Sequence, residues 1–152
     1  MRPATRAPGV QAAVDILPAH PLDAQAIATL YADAGYGAAV GAQDTVLVAK
    51  QGAALLGVVR LCLEDGIVVL RGMQVRRECQ GQGIGARLLA ACEAHMAGTE
   101  TFCLPYTHLE RFYATAGFVR VGAGALPDFL AQRLATYRAR GQDVIAMRRA
   151  PG

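Results

Sequence analysis

Apolar positions crowd three neighbouring stretches, residues 45–49, 53–63 and 67–75, broken only by Lys50-Gln51-Gly52 and Glu64-Asp65-Gly66. β-Branched and apolar runs of this length, bounded by turn residues, predict strands, and Asp-Gly between two of them signals a tight hairpin. An antiparallel meander follows. Beyond residue 83 the period changes: Ile84, Leu88, Cys92 and Met96 recur every four residues, which predicts a helix beginning near Ile84 with one buried stripe. Residues 101–104 then read as a buried strand, and a connection across a helix makes it parallel to the strand at 67–75. Thr107 and Glu110 have the spacing of a capping box, so a helix is expected from His108, with Leu109, Phe112, Tyr113 and Ala116 on one face and Gly117 at its end. A strand at 118–121, a helix at 127–140 with Leu130, Leu134 and Tyr137 on one face, and a strand at 144–147 complete that half. Upstream, 13–17 is a candidate strand, and Asp23 can cap a helix carrying Ile27, Leu30, Tyr31 and Ala34 that stops at Gly35. Residues 36–43 are rich in glycine and alanine and carry no readable chemistry. Residues 1–12 have no periodicity and read as a flexible tail, which leaves 13–152 as one domain.

The junction of the 67–75 strand and the following helix holds the most specific chemistry in the chain. Glycines at 81, 83 and 85 permit a tight turn and close approach of a ligand, and the helix that follows aims unpaired N–H groups and its positive dipole end into that turn. Such a place binds anions, phosphate above all. A dinucleotide fingerprint does not fit, because the third glycine comes one residue early and no acidic residue follows near position 105. A P-loop does not fit either, since Gly85 is followed by Ala86 and Arg87 rather than Lys and a hydroxyl.

Gln80-Gly81-Gln82-Gly83-Ile84-Gly85 resembles the Q/R-x-x-G-x-G/A signature of the GCN5-related N-acetyltransferases, and the run from Thr107 to Phe118 is similar to that family's FY…GF segment. The resemblance implies an α/β fold with a mixed, mostly antiparallel sheet, a central parallel strand pair and flanking helices. It implies acetyl-CoA as co-substrate, with the pyrophosphate on Gln80, Gly81, Gln82, Gly83, Ile84, Gly85 and Ala86. The thioester and pantetheine arm would lie along the backbone of Met73, Gln74 and Val75, where the family's strand splays from its neighbour. Tyr113 matches the tyrosine that commonly protonates the departing CoA sulfur, while its place on the apolar stripe equally suits a core residue. Two positions depart from the family: its usual glutamate base falls on Val69, and a common asparagine falls on Tyr106. Water, Glu64, Asp65 and His108 are the alternative bases. Arg71, on the same strand face as Val69, suits either an acidic acceptor or a structural ion pair. The family's second helix, which helps shape the acceptor pocket, corresponds to 36–43 and reads as abbreviated.

The function implied is direct transfer of acetyl to a primary amine in a ternary complex, a small molecule or α-amino group being favoured because no strong base is in view. The alternative is a non-catalytic acyl-CoA-binding sensor. Composition adds limits. At 152 residues and 53% hydrophobic content the chain suffices for one sizeable core, and its +3 charge comes from scattered arginines, which argues against nucleic acid as a partner. The four cysteines lack C-x-x-C spacing and the histidines are dispersed, so no metal is expected and the thiols read as reduced and mostly buried. No apolar run reaches the roughly 20 residues that span a bilayer, and no leader is evident, which places the expectation in the cytoplasm without a membrane partner. Homodimerisation stays open.

Overall fold

The computed structural model describes residues 13–37 and 39–152; the tail read at 1–12 lies outside the described residues. In chain order the elements are β1 (Asp15–Pro18), α1 (Ala24–Asp33), β2 (Thr45–Gln51), β3 (Ala54–Glu64), β4 (Ile67–Val75), α2 (Ile84–Met96), β5 (Thr101–Cys103), α3 (Glu110–Ala114), β6 (Val119–Val121), α4 (Asp128–Ala139) and β7 (Ala146–Arg149). They build a seven-stranded sheet in the order β1-β2-β3-β4-β5-β7-β6. Every neighbouring pair is antiparallel except β4 and β5, which are parallel. The hairpin between β3 and β4 turns on Asp65 and Gly66, with φ of +51° and +76°, the left-handed pair that an Asp-Gly dipeptide supplies.

Strand alternation sends side chains to opposite faces, and each face has its own helices. Leu47, Ala49 and Leu70 face α2, whose Ile84, Leu88, Cys92 and Met96 are all buried, together with Tyr113 of α3. On the reverse face Val69, Phe102 and Ala146 pack on Leu130 and Leu134 of α4. Beside them Val48, Leu55 and Val58 pack on Ile27, Leu30 and Tyr31 of α1. The sheet is therefore covered on both sides, and its long strands carry few polar side chains.

Four local expectations change. Asp23 does not cap α1. A 3-10 turn at Pro21–Asp23 runs directly into the helix, so Asp23 instead accepts the His20 N–H at 2.8 Å and pairs with Lys50, while His20 Nδ1 accepts the Leu22 N–H at 3.0 Å. Thr107 and Glu110 form no capping box. The Thr107 hydroxyl donates to the Asp143 carboxylate at 2.8 Å, the chain makes a 3-10 turn at Thr107–Leu109, and α3 begins only at Glu110. Between α1 and β2 no helix forms among the described residues of the 36–43 stretch. The last strand also begins later than its apolar run, because Val144 bridges Tyr106 and the Ile145 N–H donates to the Pro105 carbonyl at 2.9 Å before β7 joins β5.

Candidate functional site

The parallel strands β4 and β5 stay together only through Val68–Thr101 and Val69–Phe102. β5 ends at Cys103, and Pro105 behind it has no N–H with which to continue a ladder. On the other side, β4 keeps pairing with β3 to Gly57–Val75, but a bulge interrupts the register between Arg60–Arg71 and Val58–Gln74. Gly72 sits in this bulge at φ +69°, and a Cβ there would lie 2.5 Å from the Tyr31 hydroxyl oxygen. Only glycine fits both the backbone and the contact. The Tyr31 hydroxyl donates to the Gly72 carbonyl at 2.8 Å, fixing the bulge against α1. From residue 70 onward, then, one edge of β4 has no strand partner, and a cleft of about 460 Å³ opens beside it. Met73 and Gln74 line the cleft, with Cys103, Tyr106, Leu109 and Tyr113 across from them.

At the far end of β4 stands the glycine turn. The Gln80 side chain donates to the Val75 carbonyl at 3.1 Å and pins the turn to the strand end. Gly81 and Gly83 have φ of +79° and +82°, with nothing within 4 Å of where a Cβ would stand, so they serve the turn's handedness and leave open space above it. Gly83 is the N-cap of α2, and the first intrahelical bond runs from the Arg87 N–H to the Gly83 carbonyl at 3.1 Å. The N–H groups of Ile84, Gly85 and Ala86 therefore have no helical acceptor. Gln80 to Gly83 and Ala86 are exposed, whereas the Ile84 side chain belongs to the core and offers only its N–H. None of residues 80–86 lines the cleft, nor does Val75, which links the two places along the strand.

Tyr113 is a core residue that also borders the cleft. Its ring is 5% exposed and packs edge-on against Phe112 and Phe118, at centroid distances of 4.9 and 6.2 Å. It also lines the cleft, and its hydroxyl has no hydrogen-bond partner among the described residues. Burial, with the Cys103 and Cys92 thiols nearby, pushes that hydroxyl above the ordinary phenol range. Val69 gives the cleft an apolar wall and is 2% exposed.

The other bases the sequence offers stand outside the cleft lining. Glu64 is gripped by Arg133 through two bonds of 2.8 and 3.0 Å and approached by Arg71 at 3.5 Å, and the Arg133 bonds hold its carboxyl below the usual range. Asp65 is in the hairpin turn, and His108 is exposed with its ring stacked 5.8 Å from that of Tyr106. Among the described residues no carboxylate or imidazole lines the cleft.

What the sequence reading missed is the polar equipment on the α1 and α4 side. Tyr36, from the stretch read as chemically silent, lines the cleft, and its hydroxyl oxygen accepts from Arg60 Nη2 and Arg71 Nε at 3.1 Å each. Arg60 is 2% exposed. It binds the Asp44 carboxylate at 2.8 Å and the Ala39 carbonyl at 2.9 Å, and lies over the Tyr31 and Tyr36 rings at 5.5 and 5.7 Å. A lone arginine inside the apolar run of β3 was the available signal, since a buried charge requires a partner elsewhere. Arg133, Tyr137 and Arg140 of the α4 region also line the cleft. Their i, i+4, i+7 spacing marks one helix face, hidden behind the neighbouring apolar stripe.

Comparison with known proteins identifies the fold. A sequence profile described as "Acetyltransferase (GNAT) domain" matches residues 20–128. No curated protein matches the chain. Among solved structures, N-acetylglutamate synthase from Neisseria gonorrhoeae, complexed with coenzyme A and N-acetyl-glutamate, superposes with a TM-score of 0.66 at 22% identity, covering 92% of this chain and 35% of its own. Escherichia coli ElaA gives 0.65 at 18% identity, covering 91% of this chain and 99% of its own. An acyl-CoA N-acyltransferase from Pseudomonas aeruginosa gives 0.62 at 22% identity, with coverages of 91% and 99%. The chain thus spans about a third of the synthase and nearly all of the other two, and at these identities what is shared is the fold.

Proposed function

The chain belongs to the GNAT acetyltransferase family, and from that premise we propose that it transfers acetyl from acetyl-CoA directly to a primary amine, preferring small molecules with an α-amino group over lysine side chains. The observation that carries this reading is the continuity of three features along one strand: a turn with orphan N–H groups, an unpaired β4 edge, and a cleft holding Tyr113. Residues 13–152 act as a single domain in this reading, since one sheet carries all three.

Acetyl-CoA supplies the activated acetyl group. The turn suits its pyrophosphate: Gly81 and Gly83 leave room above the backbone, and the N–H groups of Ile84, Gly85 and Ala86, with the flanking residues Gln80 and Gln82, form the start of a helix that favours negative charge. Along the unpaired β4 edge, backbone groups of Met73, Gln74 and Val75 hold the extended arm and donate to the carbonyl oxygen as it gains charge, a contribution worth roughly 3 kcal/mol per donor in such sites. Tyr113 holds the proton that the departing sulfur takes up. With no carboxylate or imidazole in the lining, the amine must lose its proton to water or arrive neutral, which favours an α-amino group at about 8 over a lysine ammonium at about 10.4. The solved complex of the gonococcal synthase with coenzyme A and N-acetyl-glutamate supports an amine acceptor of this size.

The missing base is also what keeps a second reading in play, a sensor that binds acyl-CoA without turnover. Release of free CoA thiol from acetyl-CoA against a panel of amines, with product mass confirmed, decides between them. Amine-dependent release with acetylated product is expected. Tight acetyl-CoA binding with no amine raising the release would replace the enzyme by the sensor.

A further inference from the structure

The charge of the cleft is one-sided. Arg71, Arg133 and Arg140 line it, and among the described residues no acidic side chain does. Glu64, just outside, is shared by Arg71 and Arg133, one carboxylate against two guanidiniums, so positive charge is left over even there. The Arg140 guanidinium has no hydrogen-bond or ion-pair partner among the described residues, and the residue is exposed to solvent at the cleft.

These arginines do not stand where the phosphates of CoA would. The glycine turn leads into α2, which packs on the Leu70 face of the sheet, and Met73 packs on that face too. Arg71 follows Val69 on the opposite face, where Val69 packs with α4, and α4 itself carries Arg133 and Tyr137. Tyr36 belongs to the α1 cluster on that same reverse face. The opening between β4 and β5 joins the two faces, so acetyl donor and arginines approach it from opposite sides.

We propose that the acceptor is a small amine bearing a carboxylate, a free amino acid, whose carboxylate is bound by Arg140 and the uncompensated charge of Arg71 and Arg133 on the α4 side of the cleft. This rests on the acetyl-transfer reading above and adds the class of acceptor. Guanidinium groups take carboxylates through paired, charge-assisted bonds, and the hydroxyls of Tyr106 and Tyr137 in the same lining add neutral donors. A cleft of about 460 Å³ that also admits the thioester end has room for a small acid beside it. The same arginines disfavour an ammonium beside them, so a bound amino acid loses its amine proton more readily than in water, which offsets the absence of a base.

The test uses the full chain and matched probes: the free amino acids, their α-carboxamides and their decarboxylated amines. Calorimetry on the CoA-saturated protein reads binding, and thiol release reads turnover. At least one amino acid should bind and react about tenfold or more better than its own amide and amine, the ratio expected when a charge-assisted bond is lost. Arg140→Gln should shrink that acid-over-amide ratio at least about threefold, with Arg140→Lys retaining part of it. Amides that bind as well as acids, or an Arg140→Gln protein with an unchanged ratio, would overturn the acceptor class while leaving acetyl transfer standing. Selective binding of acids without any turnover would instead sink the acetyl-transfer reading and keep the carboxylate site.

Discussion

Tyr113 is packed as a core residue and still borders the cleft, so its packing does not exclude a proton-donor role. Its ring is packed between Phe112 and Phe118, and the residue lines the cleft. Tyr113→Phe keeps the ring and removes only the hydroxyl, which has no partner to orphan, so stability should hold. As a mismatched acid for a thiolate the phenol should supply the lower end of general-acid assistance, and kcat is expected to fall about 100-fold with acetyl-CoA affinity unchanged. A kcat within about threefold of the parent protein, below the general-acid range, would leave Tyr113 as core alone. The raised pKa adds a pH signature. Burial keeps the phenol neutral above its ordinary value near 10, so the donor stays protonated and no alkaline fall in kcat from Tyr113 should appear below about pH 10. At this scale the sequence motifs located the left-handed turn glycines Gly81 and Gly83 and the cleft-lining Tyr113. Tyr36 and Arg60 were not legible, because their meaning arises from contacts with Arg71, Asp44 and Tyr31 that spacing cannot show.

At the scale of elements, β4 and α2 begin and end where the sequence places them, since a β-branched run, a glycine turn and a four-residue period are local signals. α1 begins at Ala24, directly after Asp23 as expected, and lacks only the capping bond because the Asp23 carboxylate pairs with Lys50; the start of α3 differs because Thr107 bonds Asp143, a partner far along the chain. The turn between β4 and α2 permits a discriminating pair of substitutions. Gly83 is left-handed at +82°, so Gly83→Val costs about 1–2 kcal/mol in backbone strain and fills the space above the turn. Acetyl-CoA affinity by calorimetry should drop about tenfold or more while the protein stays folded. Gly85 is helical, and its added Cβ would only touch Phe112 at 3.6 Å, so Gly85→Ala should leave binding and raise stability by up to about 1 kcal/mol. Unchanged affinity in folded Gly83→Val would remove the turn from the site. A second pairing ties α4 to the β3–β4 hairpin. Glu64 is held below the ordinary carboxylate range chiefly by the Arg133 bonds, so this contribution is present above about pH 4.3 and lost as pH falls through the lowered value. Arg133→Gln should cost about 1 kcal/mol at neutral pH, and denaturant melts should show the gap closing below about pH 4. A gap that persists in acid would mean the loss came from packing over Phe129 instead.

For the whole molecule, the decisive feature is a sheet opened between its two faces, with the glycine turn on the α2 side and the arginines on the α4 side. In the proposed reaction the two substrates arrive from opposite sides and can be present together, which would make a shared covalent intermediate unnecessary. The cleft does hold a nucleophile, Cys103, and a two-step route through an acetylated thiol has to be weighed against direct transfer. Cys103 is 2% exposed and burial pushes its thiol well above the ordinary value near 8.5, so very little thiolate forms at neutral pH. Direct attack by the amine is therefore favoured. Initial rates measured over a grid of acetyl-CoA and acceptor concentrations should give intersecting double-reciprocal lines, and Cys103→Ala should keep turnover within about an order of magnitude, its cost being that of a small cavity. Parallel lines, with an acetyl group found on Cys103 by mass spectrometry, would show the two-step route. The rate should also rise with pH until the acceptor's own amine is neutral, because only the neutral amine attacks and no carboxylate or imidazole in the lining imposes its own titration. A plateau that sits at the same pH for acceptors of different amine pKa would reveal a base belonging to the protein, and the cleft's one-sided charge would then need a different account.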